Sequence, residues 1–211
     1  MVASRTLLYF AIVILLAAAL SAQVHSQVIQ SPDLEEFLRQ ATIVEAKGIS
    51  IGITAPKKVK MEWNGETKYA VYKSVDEYKA PMKFEDGRVD SNFQDSWKSE
   101  IAAYEIDKII GLGMVPATVE RTYKGVKGSV QFWVDSMMSE TDRLKTKTPA
   151  PNPESWNQQM FRTRLFDNIV YNTDRNLQNL LITKDWEIIL IDHSRAFRPF
   201  GMLKSQKDLE R

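Results

Sequence analysis

Apolar residues change their period several times along this chain, and each change marks an element. Leu7 to Leu20 is an unbroken apolar run behind one basic residue, Arg5, and it closes on small residues at Ala18, Ala19, Ser21 and Ala22. That layout predicts a secretory leader over residues 1–26, cleaved between Ser21 and Ser26. Left uncleaved it would be an anchor, though the run is short against the roughly 20 apolar residues of a membrane span. Leu34, Phe37, Leu38 and Ala41 then recur at helical spacing behind Ser31 as N-cap and Pro32 in the first turn, which predicts a short amphipathic helix. Four β-prone runs follow, Ile43–Val44, Ile49–Thr54, Val59–Trp63 and Tyr69–Val75, punctuated by Gly48, Pro56 and Asn64-Gly65. The Asn-Gly pair is a hairpin signal because both residues tolerate positive φ, so an antiparallel sheet is expected.

Residues 80–90 are polar and turn-rich and read as a loop. From Asp95 to Gly111 the period becomes helical, with Asp95 or Ser96 as cap, Ala102, Ile106, Ile109 and Ile110 as the apolar face, and Gly111 and Gly113 as the stop. Val115–Tyr123 and Ser129–Val134 read as strands joined by a turn at Lys124-Gly125. Residues 136–153, with Pro149, Pro151 and Pro153, read as a hinge and solvated linker. Glu154 to Tyr171 returns to helix, with Trp156, Met160, Leu165, Phe166 and Ile169 as its apolar positions. Two apolar runs flanking Asp185 then form a hairpin.

Composition narrows the chemistry. The chain has 211 residues, 44% hydrophobic and 26% charged, the make-up of an ordinary folded domain. Loss of Arg5 with the leader leaves 27 basic against 27 acidic residues, so no bulk attraction to nucleic acid or anionic lipid is implied. Cysteine is absent and only His25 and His193 are present. Disulfides, zinc thiolates and a thiol nucleophile are excluded, and zinc or serine hydrolase chemistry has at most one histidine to draw on.

The densest candidate chemistry lies in Asp174-Arg175-Asn176-Leu177-Gln178-Asn179 and in Asp192-His193-Ser194, the latter directly after the apolar run Ile188–Ile191. An acid five residues before an amide, with a second acid thirteen residues beyond the amide, suits phosphoryl transfer. Asp174 can accept a proton from an attacking hydroxyl, while Asn179 and Asp192 offer oxygen ligands to Mg²⁺ or Mn²⁺. Lys73, ending a strand, can bind phosphate, and Glu100 on the next helix is its expected partner, with Glu105 second. Gly48-Ile49-Ser50-Ile51-Gly52-Ile53-Thr54 can turn backbone N–H groups toward phosphate, although it is not G-x-G-x-x-G. Taken singly, each residue has a plainer role: Lys73 and Glu100 as solvated charges, Asp174 and Asn179 as turn formers. Arg175 and Arg195 suit ion pairs as well as substrate contacts, and His193 suits a structural or minor ligand role. Asp192, emerging from a buried run, calls for a partner or a ligand.

Asp174-Arg175-x-x-x-Asn179 and Ile191-Asp192-x-x-x-Ala196-Phe197 resemble the motifs of atypical kinases, the phosphoinositide 3- and 4-kinases and above all the type II 4-kinases. Glu100-Ile101-Ala102-Ala103-Tyr104 with Val115 to Arg121 is similar instead to secretory-pathway kinases of the four-jointed type. The resemblance spans residues 49–200. It implies an α+β, kinase-like fold with an antiparallel β-rich small lobe holding one long helix, then a truncated, mostly helical large lobe carrying a catalytic hairpin. It implies ATP as cofactor, Lys73 on its phosphates, Glu100 as the partner of Lys73, Asp174 as acid-base, Asn179 and Asp192 on metal, and Val134 and Asp135 at a hinge that meets adenine. Thr173 stands where such motifs often carry histidine, and only 19 residues follow Asp192.

The expected organisation is therefore a leader (1–26), a helix and lead-in (27–48), a small lobe (49–135), a hinge and linker (136–153) and a partial large lobe (154–211). The expected activity is transfer of the ATP γ-phosphoryl group to a hydroxyl of a protein, sugar or inositol lipid outside the cytoplasm, with membrane contact only through an uncleaved leader. A non-catalytic pseudokinase that binds a nucleotide or a partner protein is the alternative. An exported β-rich binding domain is the third reading.

Overall fold

The structure is a computed structural model and describes residues 29–49, 56–79, 82–83, 89–90, 93–172 and 174–197. The expected leader, the Ile49–Thr54 strand beyond Ile49, Gly52 and Thr173 lie outside the described residues. Among the described residues no helix is long and apolar enough to cross a membrane.

Among the described residues the fold is α+β, with antiparallel sheets and four α-helices. Helix α1 (Pro32–Gln40) starts where Ser31 Oγ accepts from Leu34 N and Pro32 fills the first turn. Its last carbonyls are met by a guanidinium: Arg121 donates to Leu38 O, Arg39 O and Ala41 O at 2.6, 2.5 and 3.0 Å. Five strands make the main sheet in the order β1-β2-β3-β9-β8. They are β1 (Thr42–Gly48), β2 (Lys57–Trp63), β3 (Glu66–Lys73), β8 (Thr118–Tyr123) and β9 (Val126–Phe132). Asn64-Gly65 and Lys124-Gly125 turn the two hairpins, all four residues with positive φ.

Alternation gives this sheet two distinct faces. Val59, Met61, Ala70, Tyr72, Val119 and Val130 are buried with Leu34, Phe37 and Leu38 of α1. Each Val, Leu, Met or Phe among them contributes about 1.5–3 kcal/mol on burial. Thr118, Ser129, Gln131 and Lys73 take the opposite face, toward helix α2 (Trp97–Ile110).

On either side of the stretch read as a loop, β4 (Asp76–Lys79) pairs with β7 (Phe93–Ser96), and within it β5 (Met82–Lys83) pairs with β6 (Val89–Asp90); its residues 80–81 and 84–88 lie outside the described residues. Ser96 caps α2, and Gly111 closes it in the left-handed conformation at φ 71°. The buried side of α2 differs from the expected one: it carries Trp97, Ser99, Glu100, Ala103, Tyr104 and Asp107, while Ile109 and Ile110 are exposed. Residues 136–153 are not all linker. They contain β10 (Met138–Ser139) and α3 (Glu140–Thr146), which begins with a reciprocal capping box between Ser139 and Asp142.

Helix α4 (Pro153–Ile169) follows, capped by Asn152 and with Pro153 at its start. It buries Trp156, Gln159, Thr163, Phe166 and Asp167, whereas Leu165 and Ile169, expected inside, are exposed. The polar members of that face hold the next element. Gln159 donates to Trp186 O at 3.0 Å and accepts from Ile188 N at 2.8 Å, pinning a hairpin of β11 (Leu180–Ile182) and β12 (Ile188–Leu190) that pairs with β10.

Candidate active site

Three elements bring the site together. Lys73 ends β3, Glu100 lies in the first turn of α2, and Asp192 follows β12 in the left-handed region at φ 61°, unusual for a non-glycine residue. Lys73 Nζ donates to Glu100 Oε1 at 2.5 Å and to Asp192 Oδ1 at 2.7 Å. Glu100 is 1% exposed, and its other oxygen accepts from His193 N at 3.0 Å. Asn179 Nδ2 donates to the other Asp192 oxygen at 3.2 Å, and Ile191 N donates to Asn179 O at 3.1 Å, so amide and carboxylate are held side by side. Of the two glutamates considered for Lys73, Glu100 takes the role. Glu105 pairs with Lys108.

Electrostatics follows from this geometry. Burial pulls the Lys73 ammonium toward neutrality, but Glu100 and Asp192 outweigh it and raise its pKa above the ordinary lysine value, so it is a fixed cation. Desolvation pushes the Asp192 carboxyl up, and the Lys73 ammonium, with the Arg175 guanidinium adding to it, reverses this and lowers it to about 2. Asp192 is therefore an anion at any physiological pH, with its side chain 43% exposed and able to receive a ligand.

A second layer fixes the backbone beneath. Arg175 binds Asp167 through Nε (2.9 Å) and Nη2 (2.7 Å), donates to Ile191 O at 2.7 Å and lies 2.8 Å from His193 Nε2. A guanidinium only donates, so Nε2 accepts and the proton of neutral His193 sits on Nδ1. His193 is fully buried, edge-on to Phe166. Desolvation first, then the nearby Arg175 charge, holds its pKa well below the usual histidine value. It is a structural imidazole, and Arg175 is an internal organiser with its side chain only 12% exposed.

Asp174 is placed differently. Its side chain is 52% exposed, and Arg195 Nη1 donates to it at 2.6 Å. Asp174 N donates to Asn172 Oδ1 at 3.2 Å, a side-chain turn that fixes its backbone. Val134 and Asp135 leave the end of β9, half-buried and exposed, at the Tyr69 end of β3.

Sequence patterns missed Asp95, read only as a possible helix cap. It is 4% exposed, lies against the Ser194 hydroxyl, which donates to Asp192 at 3.3 Å, and has its pKa raised by burial, with Asp192 adding to the rise. They also missed Asp167, whose signal would have been an acid on the buried side of α4 seven residues before Asp174.

Asn179 and Asp192 suit a hard divalent cation by chemistry, since both carry oxygen donors and one is a permanent anion. Among the described residues no group of three or more His, Cys, Asp or Glu could hold an ion alone. No protein-family model and no curated protein sequence matches the chain.

Proposed function

We propose that this chain is an exported phosphotransferase of the atypical-kinase type, moving the γ-phosphoryl group of ATP to a hydroxyl of a protein, sugar or inositol lipid. The observation that carries the reading is Lys73 Nζ held between Glu100 and Asp192 at 2.5 and 2.7 Å, with Asn179 on the second Asp192 oxygen. A cation that two carboxylates keep charged, with one of them 43% exposed, suits polyanion binding. The kinase-like lobe arrangement inferred from the motif order belongs to the same proposal.

In the reaction so proposed, Lys73 binds phosphate oxygens while Glu100 aims it. The acceptor O–H gives its proton to Asp174, which first parts from Arg195. The new O–P bond forms as the bond from the γ-phosphorus to its bridging oxygen breaks, and ADP leaves. Asn179 and Asp192 would hold Mg²⁺ or Mn²⁺, which when bound supplies charge neutralisation on the phosphates.

Incubation with Mg²⁺ and γ-labelled ATP tests the reading. Wild type should transfer label or hydrolyse ATP, and Asp174→Asn and Asp192→Asn should each lose at least about a hundredfold, the range for a positioned acid-base or charge-stabilising group. Activity retained by both variants would sink the assigned roles. Nucleotide-dependent thermal stabilisation without turnover would select the non-catalytic nucleotide binder instead.

A further inference from the structure

The sheet face that carries Lys73 continues well past its ion pair. Register sets Lys58 opposite Val71 and Val71 opposite Gln131, and alternation along β3 and β9 adds Tyr69 and Trp133 to that side. Trp133 N donates to Tyr69 O at 2.9 Å, so the two aromatic residues are neighbours across the strands. Tyr69 is 45% exposed and Trp133 half-buried. Lys58 Nζ lies over both rings, 3.7 Å from the Trp133 ring centroid and 5.0 Å from that of Tyr69. Among the described residues this ammonium has no carboxylate partner, unlike Lys60 and Lys68 on the same two strands, which pair with Glu62 and Glu66.

We infer that Trp133 and Tyr69 form the nucleobase platform of the phosphate site, and that Lys58 is an intramolecular plug which the base displaces. This rests on the phosphotransferase reading. Tyr69 and Lys73 are four residues apart on one strand, roughly 13 Å at the strand rise, a separation that an extended nucleoside triphosphate spans. An indole face that attracts a cation also stacks a base, because both contacts use the same π surface, and the two exclude each other. The cation contact is worth roughly a factor of two to thirty in an equilibrium, so it attenuates base binding without abolishing it. Lys58 is thus a positioning residue for the nucleotide that acts by competition.

Titration calorimetry on the full chain with adenosine and with Mg·ADP separates the parts. Adenosine carries no phosphate and reads the base end alone. Lys58→Ala should bind adenosine roughly threefold to tenfold tighter than wild type. Trp133→Leu should bind it at least about fivefold more weakly. Tyr69→Leu, at a half-exposed position, should weaken it in the same direction and guards against misfolding of the tryptophan variant. Lys73→Met should weaken Mg·ADP and leave adenosine unchanged. Weaker or unchanged adenosine binding in Lys58→Ala, or wild-type binding in both aromatic variants, would overturn the platform and plug. Mg·ADP binding that still responds to Lys73→Met would meanwhile leave the phosphate site standing. A wild type that binds neither ligand removes both proposals together.

Discussion

Removing the Lys73 ammonium tests whether the site is a coupled charge network or a chance approach of side chains. In Lys73→Met, Glu100 stays 1% exposed with only the His193 N–H as donor, so its charge is buried and nearly unpaired. Breaking a buried pair in this way costs about 3–5 kcal/mol. Glu100→Gln is milder: Lys73 keeps Asp192, and an amide oxygen can still accept from His193 N, so about 1–3 kcal/mol is expected. The double variant has no buried charge left to strand. It should therefore be less destabilised than the sum of the single changes by at least about 1.5 kcal/mol, where independent sites add within about 0.5 kcal/mol. Urea denaturation at pH 7, analysed through both midpoint and slope, gives the four free energies, and Lys73→Met should melt about 6–20 °C lower. Loss of Lys73 should also let the Asp192 carboxyl titrate upward from about 2, which NMR can follow. Additive costs and an unmoved Asp192 would refute the network.

Three further outcomes follow from the same contacts. Gly128→Ala places a methyl against Lys73 O and 2.8 Å from the Tyr72 ring, so it should cost at least about 1–3 kcal/mol and weaken Mg·ADP binding by displacing Lys73; a variant with wild-type stability and affinity would contradict this. Folded His193 has a pKa well below its unfolded value of about 6.5, so its contribution is fully present above pH 6.5 and is lost as pH falls below it, by up to about 1.4 kcal/mol per unit; Asp95 and Asp107, raised by burial, act in the opposite sense. His193→Gln should flatten the stability profile between pH 6.5 and 5, and an unchanged slope would exclude His193 as its source. Arg175→Lys keeps the charge but cannot span Asp167, Ile191 O and His193 together, so it should lose about 2–4 kcal/mol of stability; a loss under 0.5 kcal/mol would show the guanidinium geometry to be idle.

Local chemistry made some of this legible in the sequence. Ser31-Pro32, Asn64-Gly65, Ser96 and Gly111 act through their own dihedrals or caps, and each does what its residue type dictates. The pairing of Lys73 with Glu100 and the approach of Asn179 to Asp192 were expected from the motif spacing, and Asp192 called for a partner because it leaves a buried run. Helix faces were misread where the core is built from hydrogen bonds. Gln159, Asp167 and Asp107 are buried because they bind backbone groups or arginine, and they displace Leu165, Ile169, Ile109 and Ile110 from the expected inner faces. Hydrophobic periodicity counts such positions as solvent-facing. Short strands such as Met138–Ser139 were missed because two residues carry no period, and their partner, Leu181–Ile182, lies some forty positions away.

The segment from Asp192 to Ala196 explains why site chemistry and fold are hard to separate here. It is tied to the rest through Asp192 to Lys73, His193 N to Glu100, Ser194 O from Ser96 N, and Ala196 O from Gln94 and Ser99. Most of these bonds are made by the backbone, and the positive φ of Asp192 directs its carboxylate to Lys73 and the next N–H to Glu100. The proposed phosphate and metal groups are therefore positioned by the bonds that join the hairpin to α2. Alanine at Glu100 or Lys73 would loosen that junction, whatever the chemistry. Isosteric changes that keep the acceptor or the volume, such as Asp192→Asn and Glu100→Gln, are the ones whose activity and stability losses can be told apart.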